Sequence, residues 1–147
     1  MRQHVSKFLV AGFLALQTIA VQAQVTLVFA GVASGQGQVA ISVWDSAGSY
    51  LKRPYLAKRF SVGTVIDGEL QVLLQEPLPK FCVVSAYYDK NNNGELDTNW
   101  LGVPLEAVGT TNDAQGKFGP PSYAAGLVEI TGGAQVLHIP LRYVLGD

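Results

Sequence analysis

The chain has 147 residues, with 10 basic and 11 acidic side chains, a formal net charge of −1 and a single cysteine. That balance lacks the basic stripe of a nucleic-acid binder, the lone Cys82 excludes an internal disulfide, and the length sets a limit of one domain with one core.

The chain opens with MRQHVSKFLVAGFLALQTIAVQAQ, which has the three parts of a secretory signal. Arg2 and Lys7 give the positive start, Phe8 to Ala20 the apolar run, and Val21-Gln22-Ala23 a small-residue cleavage site. The expectation is a cleaved signal peptide over residues 1–23 and a mature domain over 24–147, placed in the periplasm or secreted. The apolar run of 13 residues falls short of the ~20 that cross a bilayer, so no permanent membrane span is expected. No cysteine follows the cleavage site to carry a lipid. Loss of Arg2 and Lys7 leaves 8 basic against 11 acidic side chains, a net charge of −3.

Beyond residue 24 the pattern is period two, and helical periodicity is absent, which predicts an all-β domain. Strands are expected at Val25 to Val32, at QVAISVWD with Val39, Ile41 and Val43 on one face, at Lys58 to Val65, and at ELQVLL with Leu70, Val72 and Leu74 on one face. Ser34-Gly35-Gln36-Gly37 separates the first two, and Asp67-Gly68 is a two-residue hairpin signal. Trp44, Tyr50 and Tyr55, with Lys52, Arg53, Lys58 and Arg59, outline either a binding surface or a solvated basic loop. Lys80 to Tyr88 reads as another strand and holds Cys82, a buried and inert thiol. Gly126 to Ile130 follows, then Thr131-Gly132-Gly133, and finally VLHIPLRYVL, with Leu137, Ile139, Leu141, Tyr143 and Leu145 inward and His138 and Arg142 outward. Pro140 cannot donate to a ladder and marks an edge strand or bulge. About seven short antiparallel strands with this punctuation predict a single β-sandwich.

Residues 89–124 interrupt the pattern with 36 positions and no convincing strand, where connections usually run ~4 to 6 residues. Trp100, Leu101, Val103, Leu105, Val108, Phe118 and Tyr123 make it too apolar for a solvated coil, so a compact, turn-rich lobe packed on the sandwich is expected.

The lobe begins with YYDKNNNGELDTNWLG. Calcium takes six to eight oxygens, and a tight loop with oxygens at alternate residues wraps them around one point. With Asp89 first, Asn91 is third, Asn93 fifth, Gly94 sixth, Glu95 seventh through its backbone carbonyl and Asp97 ninth. Nine positions resemble the loop of the EF-hand family, but the twelfth, where that family has a bidentate glutamate, is Trp100, and no flanking helix is expected. A remaining ligand must come from elsewhere, with Glu106 or Asp113 nearest. Two carboxylates and two amides make a weak cage, with a dissociation constant of ~10⁻⁴ to 10⁻³ M. The same residues also suit a plain turn, with Asn and Asp bonding their own backbone and Gly94 at positive φ.

Catalysis has less to stand on. His138 has no serine or cysteine nucleophile within reach, and no stretch reads as a nucleophile elbow or zinc motif. Asp89, Asp97 and Glu106 would be the carboxylates of a metal-dependent hydrolase or lyase, the alternative function.

The stretch YYDKNNNGELDTNWLGVPLEAVGTTNDAQGKFGPPSY, preceded by GQVAISVWDS and closed by LHIPLRY, resembles the bacterial family known as domain of unknown function number 2141 over nearly all of the mature chain. The resemblance implies a small exported protein with an immunoglobulin-like or transthyretin-like sandwich, and it implies no activity. Tyr88 stands ahead of Asp89 where many members carry histidine. The chain ends LRYVLGD, without the Tyr-Arg-Gly-Ser ending of the transthyretin-like hydrolases, so their activity is not carried over. The expectation is a monomeric, calcium-stabilised, non-enzymatic binding or accessory module of the cell envelope, acting on an unidentified protein or envelope ligand.

Overall fold

The structure of the protein, a computed structural model, describes residues 23–146. The expected signal segment lies outside the described residues except for Ala23, its last position. Alternating side chains bury one face of a pleated strand and leave the other to solvent, and eight strands form on this pattern. They are β1 (Gln24–Ala30), β2 (Gln38–Trp44), β3 (Leu56–Ser61), β4 (Glu69–Leu74), β5 (Phe81–Asp89), β6 (Val108–Thr110), β7 (Val128–Glu129) and β8 (Ala134–His138). A 3-10 turn (Thr111–Asp113) and one helical turn, α1 (Tyr123–Gly126), lie between β6 and β7.

One sheet has the order β4-β1-β8 and the other β3-β2-β5-β6, with β7 paired to the start of β5. Val25, Leu27 and Phe29 of the first sheet and Val39, Ile41, Val43 and Val84 of the second share a single core. The all-β sandwich is therefore present, with eight strands among the described residues instead of about seven. Its neighbours are antiparallel except β1 and β8, which run parallel.

The C-terminal run departs from the alternation. Leu137, Ile139 and Leu141 are buried as expected, but Tyr143 and Leu145 are exposed. The backbone explains this. Ile139 and Leu141 donate to the Val28 and Ala30 carbonyls at 2.8 and 2.9 Å, continuing along β1, and Arg142 then exchanges two 2.9 Å bonds with Val108 of β6. The chain thus passes from one sheet to the other at residue 142. Gly109 permits the crossing, since a Cβ there would stand 2.3 Å from the Pro140 carbonyl oxygen.

The Asp67-Gly68 turn forms, with φ of 52° and 77°. It joins strands of different sheets, because β3 pairs with β2 and β4 with β1, and only the Ile66–Glu69 bridge closes it.

The 89–124 segment needs two corrections. It contains a strand, β6, where none was expected. Its apolar side chains also do not pack as a lobe core, since Trp100, Leu101, Leu105 and Phe118 are exposed. Polar side chains and backbone hold it instead. Thr111 Oγ1 accepts from the Val84 N–H and donates to the Gly126 carbonyl, and Asn112 Nδ2 donates to the Leu127 carbonyl at 2.9 Å.

Candidate metal centre

Register places the first ligand candidate. Asp89 ends β5 directly opposite Gln38, which opens β2, so its carboxylate enters the protein at the sheet end and is 0% exposed. Oδ2 accepts from Gln38 Nε2 at 2.7 Å and from the Gly94 N–H at 2.8 Å, while Oδ1 accepts from the Asn93 N–H at 3.1 Å. Burial pushes the Asp89 pKa up, but the Gln38 amide and the N–H groups of Gly94, Asn93 and Asn92 outweigh it and leave the carboxyl below its ordinary value.

Around this anchor the loop closes on itself. Asn91 Oδ1 accepts from the Asn93 N–H at 3.1 Å and Asn93 Oδ1 from the Glu95 N–H at 2.9 Å, two turns of the kind that asparagine favours. Gly94 takes φ of 82°, which spares a side chain from left-handed strain. Its carbonyl accepts from Arg59 Nη2 at 2.6 Å, tying β3 to the loop. The amides of Asn91 and Asn93 donate to opposite oxygens of Asp97 at 2.8 and 2.9 Å. Asp89, Asn91, Asn93 and Asp97 therefore form one hydrogen-bonded unit. Glu95 is exposed, and its place in the unit is through its backbone.

Glu106 joins from the far side of the lobe. It is 7% exposed, and Oε2 accepts from the Asp97 N–H at 3.1 Å. Burial pushes its pKa up, the Asp97 N–H pulls it down, and the Asp89 and Asp97 charges push it up again, with a net rise. The Lys90 N–H also pulls the pKa down, and Oε1 is buried with no hydrogen-bond partner among the described residues. A cavity of about 400 Å³ opens here, its walls including Lys90, Asn91, Asp97, Leu105, Glu106 and Tyr143.

The side chains of the loop offer oxygens, the ligand type of a hard cation, while the Asn91 and Asn93 NH2 groups are turned toward Asp97. Oxygen ligands on alternate residues, mixed with amides, are the calcium pattern, and the orphaned Glu106 oxygen is a group that a cation would satisfy. Among the described residues no three Asp, Glu, His or Cys side chains make a metal group by themselves, so a cation here would also need amide and backbone oxygens. Asp113, the other proposed distant ligand, is elsewhere. It pairs with Arg142 and lines a separate cavity with Asn112, Leu137 and His138.

The aromatic and basic stretch at 44–59 is largely structural. Trp44 is buried, donates to Ser85 Oγ at 2.8 Å and meets Tyr50 edge-on at 5.6 Å, and Tyr50 meets Tyr123 at 5.7 Å. Lys58 pairs with Glu76. The sequence reading missed Gln38, the side-chain partner of Asp89, because it is 51 residues away and only strand register brings it there.

A family model described as "Uncharacterized protein conserved in bacteria (DUF2141)" matches residues 27–138. No curated protein and no solved structure matches the chain.

Proposed function

We propose that this chain, which belongs to the bacterial DUF2141 family, is an exported, non-enzymatic sandwich stabilised by calcium at the 89–97 loop, serving as a binding or accessory module of the cell envelope. The observation that carries the calcium reading is the Glu106 Oε1 atom, buried and without a partner among the described residues, beside a loop of alternating oxygens. Asp89, Asn91, Asn93, Asp97 and Glu106 would hold the ion through side-chain oxygens and Glu95 through its carbonyl. The ion would supply the positive charge that Asp97 and Glu106 lack between them. Residues 1–23 support export to the periplasm or beyond, where calcium is abundant enough for a weak site.

The hydrolase or lyase alternative draws less support. Catalytic zinc-type centres lean on three His, Cys or carboxylate ligands, a set not found among the described residues, whereas calcium accepts amides and carbonyls. His138 is exposed and lines the other cavity.

Equilibrium dialysis of residues 24–147 tests the site. Wild type retains one calcium ion per chain with a dissociation constant of ~10⁻⁴ to 10⁻³ M, and Asp97→Ala and Glu106→Gln lose most of that retention. Equal retention by all three proteins, or none by wild type, contradicts the reading.

A further inference from the structure

Asn93-Gly94 is the one Asn-Gly pair in the chain, and it stands in the middle of the 89–97 loop. Such a pair has a chemistry of its own in water. The backbone nitrogen that follows an asparagine can attack the side-chain carbonyl carbon, and glycine, with no Cβ to obstruct the approach, allows this best. Attack by the Gly94 nitrogen on Asn93 Cγ forms a ring and breaks the bond from Cγ to Nδ2, and the Gly94 proton departs with the amide nitrogen as ammonia. Water then opens the cyclic imide at either carbonyl and leaves aspartate or isoaspartate at position 93. Water is the only co-reactant.

In the folded chain all three reacting groups are held. The nucleophile, the Gly94 N–H, donates to Asp89 Oδ2 at 2.8 Å. The oxygen of the electrophile, Asn93 Oδ1, accepts from the Glu95 N–H at 2.9 Å, and the leaving group, Nδ2, donates to Asp97 Oδ1 at 2.9 Å. Arg59 Nη2 fixes the other end of Gly94 by donating to its carbonyl at 2.6 Å. Asp89 is the decisive contact. Its carboxylate is fully buried and anchored by Gln38 at the sheet end, so it does not swing away with the loop. A Gly94 nitrogen that gave up its proton would face a negative oxygen at 2.8 Å, a repulsion between like charges. Asn93 is exposed, so water reaches it. What the native loop withholds is the nucleophile.

We infer that Asn93-Gly94 is a site of spontaneous deamidation, held back by the Asp89 contact until the loop opens, and that the change is one-way because its product no longer fits the closed loop. Openings of a lobe with few buried apolar groups are its trigger. A carboxylate at position 93 opposes Asp97 Oδ1 where an amide now donates. Isoaspartate also adds a methylene to the backbone between the two N–H groups, of Asn93 and Gly94, that share the Asp89 carboxylate.

The test follows residues 24–147, which contain both sheets and the whole core, in mildly alkaline buffer with chelator, so that its outcome is independent of the calcium reading. Peptide mapping by mass spectrometry reads the exchange of NH2 for OH at residue 93. The chain unfolded in urea should convert at Asn93, and the native chain at least ~10-fold more slowly, a factor equal to ~1.4 kcal/mol of loop opening. Asp89→Ala and Arg59→Ala each loosen Gly94 and should speed the conversion, and the Arg59 variant, altered at an exposed side chain, carries the test if the Asp89 variant does not fold. Gly109→Ala, which strains the sandwich beneath Pro140, should leave the rate near that of wild type. No conversion at Asn93 in urea removes the site. Native conversion as fast as in urea, wild-type rates in the Asp89 and Arg59 variants, or equal acceleration by Gly109→Ala overturns the restraint by the loop. Asn93→Asp should melt below wild type in chelator, and equal melting overturns the one-way character of the change.

Discussion

Removing the Asp89 carboxylate leaves donors from Gln38, Asn93 and Gly94 without their acceptor at a fully buried position. Unsatisfied buried donors are costly, so Asp89→Ala should destabilise the domain by about 2 to 3 kcal/mol even in chelator, measured by urea unfolding. Its stability cost cannot then distinguish a metal loop from a turn. Glu106 can. Its carboxylate sits near Asp89 and Asp97 with one oxygen unpartnered, so Glu106→Gln should leave stability in chelator unchanged or raise it by up to about 1 kcal/mol while abolishing the calcium increment. A loss of stability in chelator would mean the carboxylate is already satisfied. Cys82 behaves differently again. Burial pushes its thiol up to about 11, so the folded state holds the proton that the unfolded chain releases near pH ~8.5. The associated stability is complete below that unfolded value and is lost as pH rises toward 11. Native protein should therefore resist alkylation at about pH 8 and react once unfolded, and rapid labelling of the native form would contradict its burial.

At the level of elements, the crossing of residues 139–142 onto β6 is the least ordinary feature of the fold. Gly109 stands under it, and a Cβ would also come within 3.0 to 3.1 Å of Ile139 and Leu141 side-chain atoms. Gly109→Ala should cost about 1 to 3 kcal/mol, the range for overpacking a tight site, in denaturant unfolding, and a neutral result would show that the crossing yields easily. The sheet strands were legible because their alternation is local: β4 matches ELQVLL residue for residue, and Val39, Ile41 and Val43 face inward as read. The end of the C-terminal run was not legible, since alternation continues through Leu145 while its partner β1 ends at Ala30, whose carbonyl takes the Leu141 N–H. Nor was β6, three residues whose strand state depends on pairing with Ser85, Ala86 and Tyr87 of β5. In the candidate site the oxygens at alternate positions were readable from spacing alone. The Gln38 contact and the near-complete burial of Asp89 depend on β2–β5 register, and the exposure of Trp100 contradicts what its hydrophobicity suggested.

Over the whole molecule, the sandwich has a conventional core, and the lobe has polar bonding with few buried apolar groups. Such a region opens at lower free energy than the sheets, so an ion at Asp97 and Glu106 would stabilise the part of the protein most in need of it. Among the described residues no helix is long and apolar enough to cross a membrane. The central claim is that calcium binds the folded loop, and thermal unfolding of residues 24–147 in chelator and in calcium, for wild type and Asp97→Ala, tests it most directly. At a calcium concentration 100 times the dissociation constant the folded state gains ~2.7 kcal/mol, several degrees for a domain of this size. Wild type should show that rise and Asp97→Ala should lose it. Identical melting in calcium and chelator for wild type would contradict it and reduce the loop to a hydrogen-bonded turn.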